Sequence, residues 1–181
     1  MYVNFNKYDI LNNYQIIKKY KIYTNVYHNL KKVLLTIRNI FNKHNIINSN
    51  EYNRAVGNSM RHGRCPIKCT IYILKNNNAL LLIKDSGTGF DFNNTLYQYK
   101  NDMIYYKYHG LGTKVLCQSK NLYFNWDKDG KRIMLLYTLS DINKTANKSI
   151  NNIKVTKIKF NSKSKSKCEC KTCISLQRRH K

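Results

Sequence analysis

A chain of 181 residues with 33 Lys and Arg against 9 Asp and Glu has a formal charge of +24, and its length suits one domain with a real core plus extensions. It holds no apolar run of the roughly 18 residues a spanning helix needs and no apolar signal core near its start, so a soluble, cytoplasmic protein without a membrane partner is expected. Six cysteines (Cys65, Cys69, Cys117, Cys168, Cys170 and Cys173) then read as thiols or metal ligands rather than as a disulfide set.

The charge has two readings that stay open. A polyanion partner, nucleic acid above all, would explain it. So would a genome rich in A/T codons, because Asn, Lys, Ile and Tyr are abundant together.

In chain order, residues 1–20 form a polar and aromatic extension with a short helix expected near 10–20, and residues 21–25 suit a short edge strand. From 26 to 43 the apolar residues Leu30, Val33, Leu34, Ile37, Ile40 and Phe41 fall at helical spacing, which predicts an amphipathic helix with one buried stripe. Ser49 suits an N-cap for a second helix over 50–62, with Gly63 as its stop. Ala55, Val56 and Ser59 give that helix a small packable face. Glu51, Arg54, Asn58 and His62, spaced by three, four and four, project from one other side.

Ile67, Cys69, Ile71 and Ile73 alternate with polar neighbours, the period-two pattern of a half-buried strand. Asn76-Asn77-Asn78 is turn chemistry, and 79–84 returns as an apolar, central strand. It runs straight into Asp85-Ser86-Gly87-Thr88-Gly89-Phe90-Asp91, where an acid and two glycines let backbone pass close to a ligand. Residues 92–108 read as a loop or short helix. His109-Gly110-Leu111-Gly112 then opens a helical segment over 113–119, and glycines before a helix N-terminus suit a phosphate. Strands over 121–126 and 131–139 flank the hairpin signal Asp127-Lys128-Asp129-Gly130. From Ser140 the composition turns to Asn, Lys and Ser, with a marginal strand at 153–160 inside a flexible basic tail.

The ordered set (a helix with R-A-V-G-N-S-M-R-H-G, a hairpin, D-S-G-T-G-F-D, a variable loop, H-G-L-G and a closing hairpin) resembles the ATP-binding domain of the gyrase, heat-shock chaperone, histidine kinase and mismatch-repair superfamily. It looks most similar to the anti-sigma serine kinases of bacterial partner-switching systems, over residues 21–139. The resemblance implies a Bergerat fold of class α+β, a two-layer α/β sandwich with helices on one face of a mixed, mostly antiparallel sheet. It divides the chain into an extension at 1–20, an ATP-binding domain at 21–140 and a Cys-containing tail at 141–181.

It further implies ATP and Mg²⁺ as cofactors. Asn58 then stands where the family's Asn holds Mg²⁺, and His62 closes that motif. Asp85 stands where an aspartate accepts the adenine amino group, Gly87 and Gly89 where backbone approaches base and ribose, and Phe90 beside the pocket. Gly110, Leu111 and Gly112 match the phosphate-side motif, with Lys107 or Lys114 near. The implied partner is a sigma factor or a small antagonist phosphorylated on serine, with a homodimer frequent among relatives.

Two positions depart from the pattern. Arg54 occupies the place of the glutamate that serves active relatives as general base, and a guanidinium with a pKa above about 12 accepts no proton. Glu51, one turn earlier, is the remaining candidate base. Tyr108 stands where a further glycine is common. A nucleotide-binding interaction module without turnover is therefore a second reading, and a nucleic-acid-binding protein using its basic tail a third. Cys168-x-Cys170-x-x-Cys173, with His180, has spacing that suits either zinc or free thiols.

Overall fold

The structure, a computed structural model, describes residues 5–48, 50–100 and 111–138. Ser49, Lys107, Tyr108, His109, Gly110, the tail with its 153–160 strand, Cys168, Cys170, Cys173 and His180 lie outside the described residues. Of Leu111, Gly112 and Lys114 only the helical backbone is described.

Helix α1 (Lys7–Asn13) begins at a capping box: Asn6 Oδ1 accepts the N–H groups of Tyr8 and Asp9, and Asp9 Oδ2 accepts the Asn6 N–H at 2.8 Å. These pairs satisfy backbone donors that the first turn leaves open. Strand β1 (Ile16–Thr24) follows, so the helix expected over 10–20 sits earlier and stops before a strand longer than the one expected. Isoleucine and tyrosine interleaved with lysine suit a pleated edge, and pairing with β2 decides the matter.

A 3-10 turn (Tyr27–Asn29) leads to α2 (Leu30–Lys43), which buries Val33, Ile37 and Phe41 at intervals of four. Helix α3 (Glu51–His62) buries Tyr52, Ala55, Val56 and Met60. Strands β2 (Ile67–Leu74) and β3 (Asn78–Lys84) form a hairpin whose turn places Asn76 and Asn77 at φ of 60° and 54°. Helices α4 (Phe92–Lys100) and α5 (Leu111–Gln118) precede β4 (Leu122–Trp126) and β5 (Arg132–Tyr137).

The sheet has the order β1-β2-β3-β5-β4, and every pairing among the described strands is antiparallel. The expectation of a mixed sheet is corrected here: every pair of neighbouring strands is antiparallel, and β4, which runs in the same direction as β3, is kept from pairing with it by β5 between them. The class is α+β. On one face, Ile71, Leu81, Phe124 and Leu135 pack with the buried stripes of α2 and α3 and with Leu116 of α5. The expectation that helices cover one face alone is also corrected, because Phe5 and Ile10 bury Tyr72, Leu80, Leu82, Met134 and Leu136 on the other. Asn125 Nδ2 ties this segment down by donating to the Phe5 carbonyl at 2.7 Å. Strand β3 reads as a continuous apolar run because it is central and covered on both sides.

Candidate functional site

The end of β3 and the end of α3 meet at glycines. Asp85 N–H donates to the Lys131 carbonyl at 3.1 Å, and Ser86 N–H to that of Arg64 at 2.8 Å. Ser86 Oγ donates to the Pro66 carbonyl at 3.1 Å, so the loop is held from both neighbouring elements. Asp85 is buried, and its Oδ1 accepts the Gly87 N–H at 2.8 Å.

Gly63 closes α3 with φ −81° and ψ −167°, a conformation open to any residue. What demands glycine there is space: a Cβ would run into Asp85 Cγ and the Ser59 carbonyl and stand 2.7 Å from Asp85 Cβ. A Cβ at Gly87 would lie 3.1 Å from Gly63 Cα and 3.3 Å from Arg64 N. Gly63 thus does more than end a helix. It admits the Asp85 side chain, a role that its position after a polar helix end could not reveal.

The second half of the loop locks into the β4–β5 hairpin. Gly89, at φ 83°, faces the Asp129 carbonyl, and Gly130, at φ 64°, faces the Phe90 backbone. Any Cβ at either position would collide with that backbone. Asp127 Oδ1 organises the turn by accepting the N–H groups of Lys131 and Arg132 at 2.9 and 3.0 Å. Phe90 remains half exposed and meets Trp126 edge-on at 5.5 Å, while Phe92 stacks on the same indole at 5.8 Å.

Burial raises the Asp85 carboxyl above its ordinary value. The Gly87 N–H opposes that shift, Asp127 adds to it and Lys131 opposes it. The group is an acceptor that ionises with some cost beside a backbone cleared of side chains.

Along α3, Arg54, Gly57, Asn58 and Arg61 line a cleft of about 410 Å³ closed on the other side by Val115 of α5. Arg54, Asn58 and His62 are exposed, and His62 lines no part of this cleft. Two guanidinium groups, with no acid lining the cleft among the described residues, make it a place for an anion. Glu51 is turned elsewhere: it is buried, and it lines a separate cleft of about 430 Å³ with Asn48, Lys120 and Tyr137. The single polar stripe therefore divides, with Glu51 in one cleft, Arg54 and Asn58 in the other, and His62 in neither. Helical spacing groups residues by angle alone, and Glu51, in the first turn, shares its cleft with Ile47 and Asn48 and with Tyr137 of β5. Arg61 and Gly57 join the site without having been singled out. A mid-helix glycine, otherwise costly, was the available signal.

No family model, curated protein or solved structure matches the chain. No helix of the described residues is long and apolar enough to cross a membrane. Among the described residues no group of three or more His, Cys, Asp and Glu side chains could hold a metal ion.

Proposed function

We propose that the chain is an ATP-binding regulatory module of the Bergerat type, holding nucleotide between the Asp85 loop and the polar face of α3 to control a protein partner. The observation that carries this reading is the junction of Asp85, Gly63 and Gly87, which packs a buried carboxylate against glycine backbone at the end of the helix bearing Asn58.

Asp85 Oδ1 is engaged by Gly87, and Oδ2 is then the acceptor for an exocyclic amino group; guanine presents a carbonyl at that position and is rejected. Arg54 and Arg61 face the phosphates from the cleft that Asn58 shares. The residues fit Mg²⁺ only as a companion of those phosphates, because Asn58 is a lone neutral oxygen between two cations. When bound, the ion would neutralise phosphate charge.

Among the described residues the cleft shared by Arg54 and Asn58 is lined by no carboxylate, and Glu51 faces the other cleft. That favours binding without γ-phosphate transfer over the anti-sigma kinase reading. Calorimetric titration with ATP, AMP and GTP in Mg²⁺, followed by a γ-phosphate transfer assay, tests both. Asp85→Ala should cost about 1.5–3 kcal/mol of adenine binding, roughly ten- to hundred-fold. Arg54→Ala should weaken ATP while sparing AMP. No ATP binding at millimolar nucleotide would end the proposal, and transfer to a serine substrate would restore the kinase reading.

A further inference from the structure

The register of the sheet lines up cations that the sequence scatters. Tyr23 faces Lys68, Lys68 faces Lys84, and Lys84 faces Arg132, in one row across β1, β2, β3 and β5. Directly paired residues share a face. Lys68 and Lys84 alternate with Ile67, Cys69 and Ile83, which point to the helices, so the row lies on the opposite face. The next row brings Lys21 beside Thr70. Residues 5–14 cover the part of this face built on Tyr72, Leu80 and Leu136, and the row stands beyond it, at the end nearest the Asp85 loop. Tyr23, Lys68 and Lys84 are exposed and Arg132 is half-buried.

Like charges directly opposite one another on a sheet cost stability. Lysines on β1 have an ordinary reason to be there, since charge protects an edge strand, but β2, β3 and β5 are internal strands. Codon bias supplies lysine without setting register. Among the described residues none of the three cations has a carboxylate partner. Asp127 and Asp85 are engaged by backbone N–H groups instead. Lys68 Nζ lies 5.6 Å from the Tyr23 ring centroid, which holds an exposed phenol at the end of the row. Residues 141–181 do not suit this face, because they are rich in Lys and Arg with Asp141 and Glu169 as their only acids.

We infer that this face is a binding surface for single-stranded nucleic acid, with Lys68, Lys84 and Arg132 on successive phosphates and Tyr23 stacking on a base. A cationic track beside an exposed aromatic is the chemistry that single strands use. An acidic peptide would use the charges and leave the ring idle. The surface shares no residue with the proposed nucleotide cleft or with the basic tail.

The test is fluorescence anisotropy of the full chain with a labelled oligo(dT) over a range of salt concentrations. Each phosphate contact contributes about 0.7 to the log–log salt slope for single strands, so Lys68→Gln/Lys84→Gln/Arg132→Gln should lower the slope by about 2. Tyr23→Ala should weaken binding several-fold at an unchanged slope. Lys84→Glu, which places an acid between two cations, should melt no lower than the parent while binding less tightly, so misfolding cannot mimic the result. ATP titration of the same variants should be unchanged. An unchanged slope in the triple variant, absence of oligonucleotide binding by the parent chain, or equal affinity for poly-glutamate at matched salt would each overturn the assignment.

Discussion

Gly63 and Gly57 sit six residues apart in and after one helix and should respond to alanine in opposite directions. At Gly63 the backbone is extended, so no conformational strain enters and the cost is steric. The added methyl meets Asp85 Cγ and the Ser59 carbonyl, and Asp85 Cβ at 2.7 Å. None of these is the free end of a flexible chain. Asp85 is fixed by its bond to Gly87, and Ser59 belongs to the helix. Overpacking costs about 1–3 kcal/mol, and this site belongs in the upper part of that range. Gly63→Ala should then melt roughly 5–10 °C lower, at the few degrees per kcal/mol usual for domains of this size. A Cβ at Gly57 finds nothing within 4 Å, and alanine in a helix interior is favoured over glycine by about 0.5–1 kcal/mol. Urea unfolding of both variants, with the m-value as a check on two-state behaviour, reads the difference. A Gly63→Ala midpoint indistinguishable from the parent, or two shifts of the same sign, would refute the packing argument.

Because burial raises the Asp85 carboxyl, the folded chain holds that proton more tightly than the unfolded one, and stability falls as pH rises between the unfolded and folded pKa values. Asp85→Asn, which keeps an oxygen for Gly87 N–H, should therefore melt above the parent at pH 7 and lose that advantage in acid; a difference independent of pH would count against it. Burial pushes the thiols of Cys69 and Cys117 up to about 12, while Cys65 is exposed. Iodoacetamide at pH 8 should label Cys65 in the native chain and the other two only in denaturant, and mass spectrometry showing equal labelling would contradict the burial. The Tyr137 hydroxyl is buried and makes no well-formed hydrogen bond among the described residues; burial, then Glu51 and the Tyr52 hydroxyl, raise its pKa well above the usual value, and the nearby Tyr52 backbone opposes that rise. Removing an unsatisfied buried group relieves about 1–3 kcal/mol, so Tyr137→Phe should raise the urea midpoint, and a lower midpoint would reveal a partner.

Much of this fold is readable in one dimension. The alternation of Ile67, Cys69, Ile71 and Ile73, the apolar run of β3 and the stripe through Val33, Ile37 and Phe41 are periodicities that burial imposes directly on sequence. The hairpin turns announce themselves through Asn76-Asn77 and Asp127-Lys128-Asp129-Gly130. The start of β1 was not legible, since Ile16 and Ile17 belong as well to a short helix and only β2 selects the strand. Packing of residues 5–14 on the second face was hidden for the same reason, because it depends on contacts more than a hundred residues away, such as Asn125 with Phe5. At the site, the acid and glycines after β3 were visible, yet the need for Gly63 arises from a side chain 22 positions later. Glu51 shows the converse error: helical spacing grouped it with Asn58, and tertiary packing took it away.

The end of β3 shows how one strand serves two surfaces. Side chains alternate across a sheet, so Ile83 points to the helices and Lys84 to the opposite face. Asp85 then returns to the helix side against Gly63. The acceptor proposed for adenine and the central cation of the row are therefore consecutive residues separated by the thickness of the sheet. A one-residue slip of β3 would exchange them, burying an ammonium beside Gly63 and exposing the carboxylate among cations. Pairing on both sides, with β2 and with β5 over Lys84↔Arg132, forbids that slip. The same alternation makes the two proposals separable, since Lys84 and Asp85 can each be changed without placing a new group on the other's face. Loss of ATP binding on Lys84→Glu would mean that the two surfaces communicate through the strand end rather than merely adjoin it.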